Sequence, residues 1–232
     1  IADDVMNRLF GGTYMAYLVI EGNSEDRIKR PEVMSYIDKL QNHLENQEIV
    51  GKTSSVADII KRINYVIHNE DKTFDVVPKG QDEIAQFLFL FSMTGDTNDL
   101  DNFLDYNSQN ANIWIQMKGG DNIQMHQVEK STNDFMKKNP PPDGITVKWS
   151  GLTYIYKVCH NLMVWGLLKA VLGSFWIVLL LMAIEFRSIW FGIISMLPLT
   201  IAIFSSYGLV GFVGKDYDMP IAVCSALSLG MA

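Results

Sequence analysis

Cysteine is close to absent: Cys159 and Cys224 are the two thiols in 232 residues, and neither falls in the first two-thirds of the chain. No disulfide framework can brace that part, and both thiols read as small apolar packing residues. Histidine is scarce as well. His43, His68, His126 and His160 show no metal-ligand spacing, and nothing further converges on the adjacent Cys159-His160 pair, so neither metal nor cofactor is expected. The G-x-S-x-G, Walker A and H-E-x-x-H patterns are missing. Hydrolytic and ATP-driven chemistry lose their support, and no enzyme active site is visible. Basic residues are outnumbered: Ile1–Ser150 holds 15 Lys and Arg against 23 Asp and Glu, a net of −8. That balance argues against nucleic acid or anionic lipid headgroups as the main partner.

Charge itself disappears from Ala170 to Ile184, fifteen residues, and again from Ser188 to Gly214, twenty-seven. A ~30 Å hydrocarbon core needs about 20 apolar residues at ~1.5 Å each. The second run suffices alone. The first does once it is extended back to Leu162, with Lys169 snorkelling toward the interface. A third apolar run, Met219 to Ala232, is too short to span. The expectation is a piece of a membrane protein, with spans at about 162–184 and 189–213 and a truncated one at 219–232. An Ile at position 1 and an apolar pattern running to the last residue fit a fragment. A fragment could also have lost a signal peptide or lipidation motif, neither of which is present.

The water-facing part repeats one order of elements. Tyr14–Ile20, ending at Glu21-Gly22, reads as a buried strand. Pro31 suits a first helical turn, and Met34, Ile37, Leu40 and Leu44 make one apolar stripe before a strand from Ile49-Val50 to near Ser54. Later, Ala111, Ile113, Ile115 and Met117 alternate with polar neighbours in a half-buried strand. Asp121 can cap a helix with Gln124 at the third position. Ile123, Val128, Phe135 and Met136 would be its buried side, and Pro140-Pro141-Pro142 stops it. Ile145, Val147 and Trp149 then mark a last strand. Two βαβ units predict an α+β domain of ferredoxin-like type over residues 1–155, followed by transmembrane α-helices over 156–232. Between the units, Ser55 and Asp58 form a capping-box pattern ahead of Ile59, Ile60, Ile63 and Ile67. A second intervening helix runs from about Gln81 to Met93. Its Phe87, Leu88, Phe89, Leu90 and Phe91 are greasy all round, as either buried core or the lining of a path for amphiphilic substrate.

The connection Glu185-Phe186-Arg187-Ser188 is short, as is Gly214-Lys215-Asp216-Tyr217-Asp218, so the spans are antiparallel neighbours. Arg187 marks its loop as cytoplasmic by the positive-inside rule, which puts the water-facing domain outside. Lys169 and Glu185 sit at span ends and read as anchors. Pro198 lies inside the second span and should kink it. In the third run Ala222, Ala226 and Gly230 recur every four residues, a small-residue face that lets helices approach closely.

Several strings now resemble the RND superfamily of exporters. They are Phe10-Gly11-Gly12-Thr13, Gly151-Leu152-Thr153-Tyr154, Glu185-Phe186-Arg187-Ser188, Leu197-Pro198-Leu199, Tyr207-Gly208-Leu209-Val210-Gly211 and Gly214-Lys215-Asp216-Tyr217-Asp218-Met219-Pro220. The closest likeness is to the hydrophobe/amphiphile efflux branch, relatives of the mycobacterial large membrane proteins, and it covers nearly the whole chain. The resemblance implies a periplasmic porter domain and two and a half spans, from the second half of a multi-pass protein of the bacterial inner membrane. It implies proton-driven export of hydrophobic or amphiphilic, lipid-like molecules, with the bilayer, protons and the other half of the transporter as partners and a homo-oligomer left open. Phe87, Phe89 and Phe91 would then line the substrate path. Ala222, Ala226 and Gly230 would pack near a proton-relay Asp one turn past Gly230, beyond Ala232. The competing readings are a protein-translocation accessory resembling SecD and SecF, and a membrane-anchored ligand sensor.

Overall fold

A computed structural model describes residues 5, 7, 11–94 and 97–212. The chain divides into two units, Ile1–Lys157 and Val158–Ala232. In the first, the strands are β1 (Tyr14–Gly22), β2 (Val50–Ser54), β3 (Asn110–Met117) and β4 (Ile145–Ser150). The helices are α1 (Pro31–Glu45), α2 (Val56–Ile67), α3 (Gln81–Thr94), the short α4 (Thr97–Asp101) and α5 (Asn122–Lys138), with a 3-10 turn at Lys72–Phe74.

The four strands form one sheet in the order β2-β3-β1-β4, every pair antiparallel. β1 is central: Leu18 lies opposite Ile113 on one side and Trp149 on the other. Alternation decides which face is dry. Ala16, Leu18, Ile20, Ala111, Ile113, Ile115 and Met117 are buried, while the residues between them stay partly open, as period-two side chains must. α1 supplies Met34, Ile37, Leu40 and Leu44 to that core, the stripe expected from their spacing. Pro31 stands in its first turn and needs no hydrogen-bond partner there.

The capping box at the start of α2 forms as expected. Ser55 Oγ accepts from Ala57 N at 3.0 Å and Asp58 accepts from the Ser55 amide at 3.0 Å. The cap expected at α5 does not: Asp121 makes no side-chain hydrogen bond to the helix. Gln124 instead occupies the space a side chain at Gly119 would fill. Its Oε1 is left buried and unpartnered. The buried side of α5 also differs from expectation. Met125, Val128 and Thr132 face the core with Phe135 packed against it, whereas Ile123 is 53% exposed and Met136 is half-buried.

Two glycines of the recurring strings have backbone reasons. Gly12 has φ +153, and a Cβ there would stand 2.5 Å from the Met117 carbonyl oxygen. Gly151 has φ +93, and a side chain would strike the Tyr17 ring at 2.5 Å. Only glycine fits either place without strain.

Beyond Gly151 the chain is helical as α6 (Leu152–Glu185) and α7 (Ile189–Phe212). Among the described residues α6 is the one helix long and apolar enough to cross a membrane, its most apolar 18-residue stretch having a mean hydropathy of 2.4. Its 34 residues extend about 50 Å, against ~30 Å of hydrocarbon. The surplus lies at its start, where Thr153 and Lys157 are buried in the first unit. The apolar stretch Ile189–Ala202 of α7 is shorter.

Candidate functional site

α2 carries two apolar stripes. Val56, Ile60 and the carboxamide of Asn64 face the core, and Asn64 Nδ2 donates to the Val76 carbonyl at 2.9 Å, holding the strap that follows. Ile63, Val66 and Ile67, at helical spacing i, i+3, i+4, form a second stripe that the core does not use. α3 meets that stripe with Leu90 and Phe91. Together with Arg62 they line an apolar groove of ≈ 190 Å³. Its walls are unusually open for such side chains: Val66 is 50% exposed, Ile67 49% and Leu90 42%. Phe89 and Met93 of the same helix are also open, at 65% and 69% exposed. Apolar side chains left open together in one groove make it the candidate site for an apolar ligand. Among the described residues lining the groove the one charged group is the Arg62 guanidinium, which lies over the Tyr65 ring, 5.2 Å from its centroid.

The side of α2 away from this groove is tied down by polar contacts. The buried Gln41 of α1 reaches Thr53 Oγ1 at 3.2 Å and Asp58 Oδ2 at 2.7 Å, and receives the Ser55 hydroxyl at 2.5 Å. Lys61 Nζ lies 2.6 Å from Asp38 and 3.4 Å from Asp58. Burial alone would depress the Lys61 ammonium. The Asp38 hydrogen bond and the charges of Asp38 and Asp58 outweigh it and hold the group above the ordinary lysine value. α2 is thereby fixed in rotation, which keeps Ile63, Val66 and Ile67 turned toward α3.

The start of α6 is fastened to the sheet unit by three contacts. Thr153 Oγ1 donates to the Met15 carbonyl at 2.7 Å. Tyr154 stacks on Trp149 with ring centroids 6.1 Å apart. Lys157 Nζ pairs with Glu129 of α5, and these side chains are only 10% and 17% exposed. The ammonium also lies 5.6 Å from the centre of the Tyr154 ring, a cation–π approach.

The expected path residues divide. Phe87 packs partly buried against the core, Phe91 lines the groove and Phe89 stands in the open. The core anchors of the same helix are Ile84 and Leu88. α3 is thus neither wholly core nor a closed conduit. Pro198 lies inside α7, where its missing N–H removes the helix hydrogen bond to the Ile194 carbonyl. Ala222, Ala226 and Gly230 lie outside the described residues, with the whole of the 219–232 run. A close contact of the small-residue type does occur between α6 and α7. A Cβ at Gly192 would meet Ala183 Cα at 3.1 Å. At Gly208 the same construction meets nothing within 4 Å. Arg62, Ile63, Val66 and Ile67 escaped the sequence reading as a site. The available signal was the second apolar stripe of α2, offset from the first. Among the described residues no group of three or more His, Cys, Asp or Glu is placed to hold a metal.

Comparison with known proteins places the chain among membrane proteins. The model of the MMPL family matches residues 2–232. A protein of Methanocaldococcus jannaschii named "Putative membrane protein MJ1562" is 25% identical over 230 residues, which cover 96% of this chain and 56% of that relative. The chain therefore spans little more than half of the relative's length.

Proposed function

The chain belongs to the MMPL family, a family of the RND superfamily, and on that premise we propose that it forms part of a proton-driven exporter of hydrophobic or amphiphilic molecules. The family match over nearly the whole chain is the observation that carries this reading. The apolar groove between α2 and α3 supports the substrate class, because it offers open hydrophobic surface outside any membrane span. The sheet order β2-β3-β1-β4 with its two strand–helix–strand units supports a ferredoxin-like porter domain over residues 1–155. α6 leaves that domain directly into the bilayer as the first of several spans over 156–232. The porter domain faces outward from the cytoplasmic membrane, into the periplasm in a bacterium. Substrate enters through α3 and its neighbours, Phe87, Phe89 and Phe91 among them. Proton flow through further helices, near the small-residue face of Ala222, Ala226 and Gly230, drives conformational alternation. The remaining half of the transporter completes the pathway.

Transport by the intact protein tests this. Reconstituted in liposomes, it should move a fluorescent lipid-like amphiphile only when a proton gradient is imposed, and a protonophore should stop it. Ile67→Gln with Leu90→Gln, which places two carboxamides in the groove, should cut transport severalfold while membrane insertion holds. Movement that ignores the protonophore would overturn proton coupling. Full transport by the double variant would take the groove out of the path.

A further inference from the structure

The groove between α2 and α3 combines two properties that together select a ligand. Five of its six lining residues, Ile63, Val66, Ile67, Leu90 and Phe91, are apolar, and the sixth is Arg62. Arg27, Lys29, Arg30, Lys61, Lys137, Lys148 and Lys157 each have a carboxylate within ion-pair distance. Lys39, Lys72 and Lys138, like Arg62, have no carboxylate at that distance among the described residues. Arg62 differs from them in lining the groove and in lying over an aromatic face, the Tyr65 ring. That contact steadies the guanidinium without neutralising it, and leaves its N–H donors available to an incoming acceptor.

We propose that this groove binds a single-chain amphiphile with an anionic head, its alkyl chain along Ile63, Val66, Ile67, Leu90 and Phe91 and its head on Arg62. The volume of ≈ 190 Å³ suits one narrow chain. The net charge of −8 over Ile1–Ser150 opposes a broad anionic surface, yet at physiological salt charges farther than ~8 Å are largely screened. One guanidinium at the groove then decides the sign of the head. This inference deepens the exporter reading by giving its substrate a charge, and its test measures binding rather than transport.

The experiment uses the full chain in nanodiscs of uncharged phosphatidylcholine, with methyl-labelled isoleucine read by NMR. Octanoate, octanol and octyltrimethylammonium are the probes. Octanoate should shift the Ile63 and Ile67 methyls saturably and bind tighter than the other two. Arg62→Gln should weaken octanoate about fivefold, the scale of a partly exposed ion pair, and leave octanol unchanged. Arg62→Glu should reverse the order in favour of octyltrimethylammonium. Arg62 is exposed, so neither variant threatens folding. Equal binding of the three probes, octanoate binding indifferent to Arg62, or no shift at Ile63 and Ile67 would each overturn the proposal. Octanoate binding in a protein that transports nothing would remove the exporter reading and leave the site. Transport without these shifts would remove the site alone.

Discussion

Tyr36 shows how one residue can work against the fold it helps to build. Its ring packs in the core near Phe135, with centroids 6.2 Å apart, and the residue is 6% exposed. Its hydroxyl is buried without a hydrogen-bond partner. Burial pushes the phenol up from 10 to about 12, so the folded chain keeps a proton that the unfolded chain releases at lower pH. A group whose folded value is raised contributes stability that is fully present below the unfolded value. That contribution is lost as pH climbs through the folded one, which places the loss between pH 10 and about 12. Lys61 shifts in the same direction and adds to the alkaline limb. Tyr36→Phe removes the orphaned hydroxyl and keeps the ring. It should therefore stabilise the first unit by about 1 kcal/mol at neutral pH and flatten the loss above pH 10. Thermal melting of the full chain across pH 7 to 12 in steps of about one unit reads both effects. An unchanged alkaline limb would assign the loss to Lys61.

At the scale of elements, the pairing of Lys157 with Glu129 joins the first turns of α6 to α5. Both side chains are largely out of water, so removing one charge strands the other. Glu129→Leu should cost about 3 kcal/mol, whereas Glu129→Leu with Lys157→Met should recover most of that loss. Urea unfolding followed by tryptophan fluorescence separates the cases, and a double variant as weak as the single would show that no charge was stranded. Such a contact could not be read in the sequence, because it depends on how a sheet returns residues 28 apart to one place. What could be read was local. The stripe Met34, Ile37, Leu40 and Leu44 and the Ser55–Asp58 box need only a few neighbouring residues to define them, and both form. The Asp121 cap was equally local in pattern and still failed, since Gln124 found space beside Gly119. α3 was legible as a helix, but which of Phe87, Phe89 and Phe91 would be covered depended on where α2 lay. Half of the candidate groove was legible in consequence: the α3 aromatics stood out as apolar, while the second stripe of α2 and the guanidinium beside it gained meaning only from the packing.

For the molecule as a whole, the physical problem is to carry a folded, acidic, water-facing unit on one end of an apolar helix. α6 solves it by spending its first turns inside that unit, through Thr153, Tyr154 and Lys157. Uncharged residues fill the helix from Ala170 to Ile184. The positive-inside rule counts Lys and Arg near short loops, and a long folded part such as residues 1–150 crosses largely regardless of its charge. Arg187, in the turn between α6 and α7, is the basic residue such a rule would hold in the cytoplasm. On the proposed topology the first unit lies on the outer side, one crossing away. Tyr106 offers a reporter position, being 99% exposed in the first unit. Tyr106→Cys, in a background with Cys159→Ser and Cys224→Ser, should react in intact spheroplasts with a membrane-impermeant maleimide. Arg187→Cys in the same background should react only after the membrane is opened. The reverse pattern would overturn the proposed topology and put the groove of α2 and α3 in the cytoplasm.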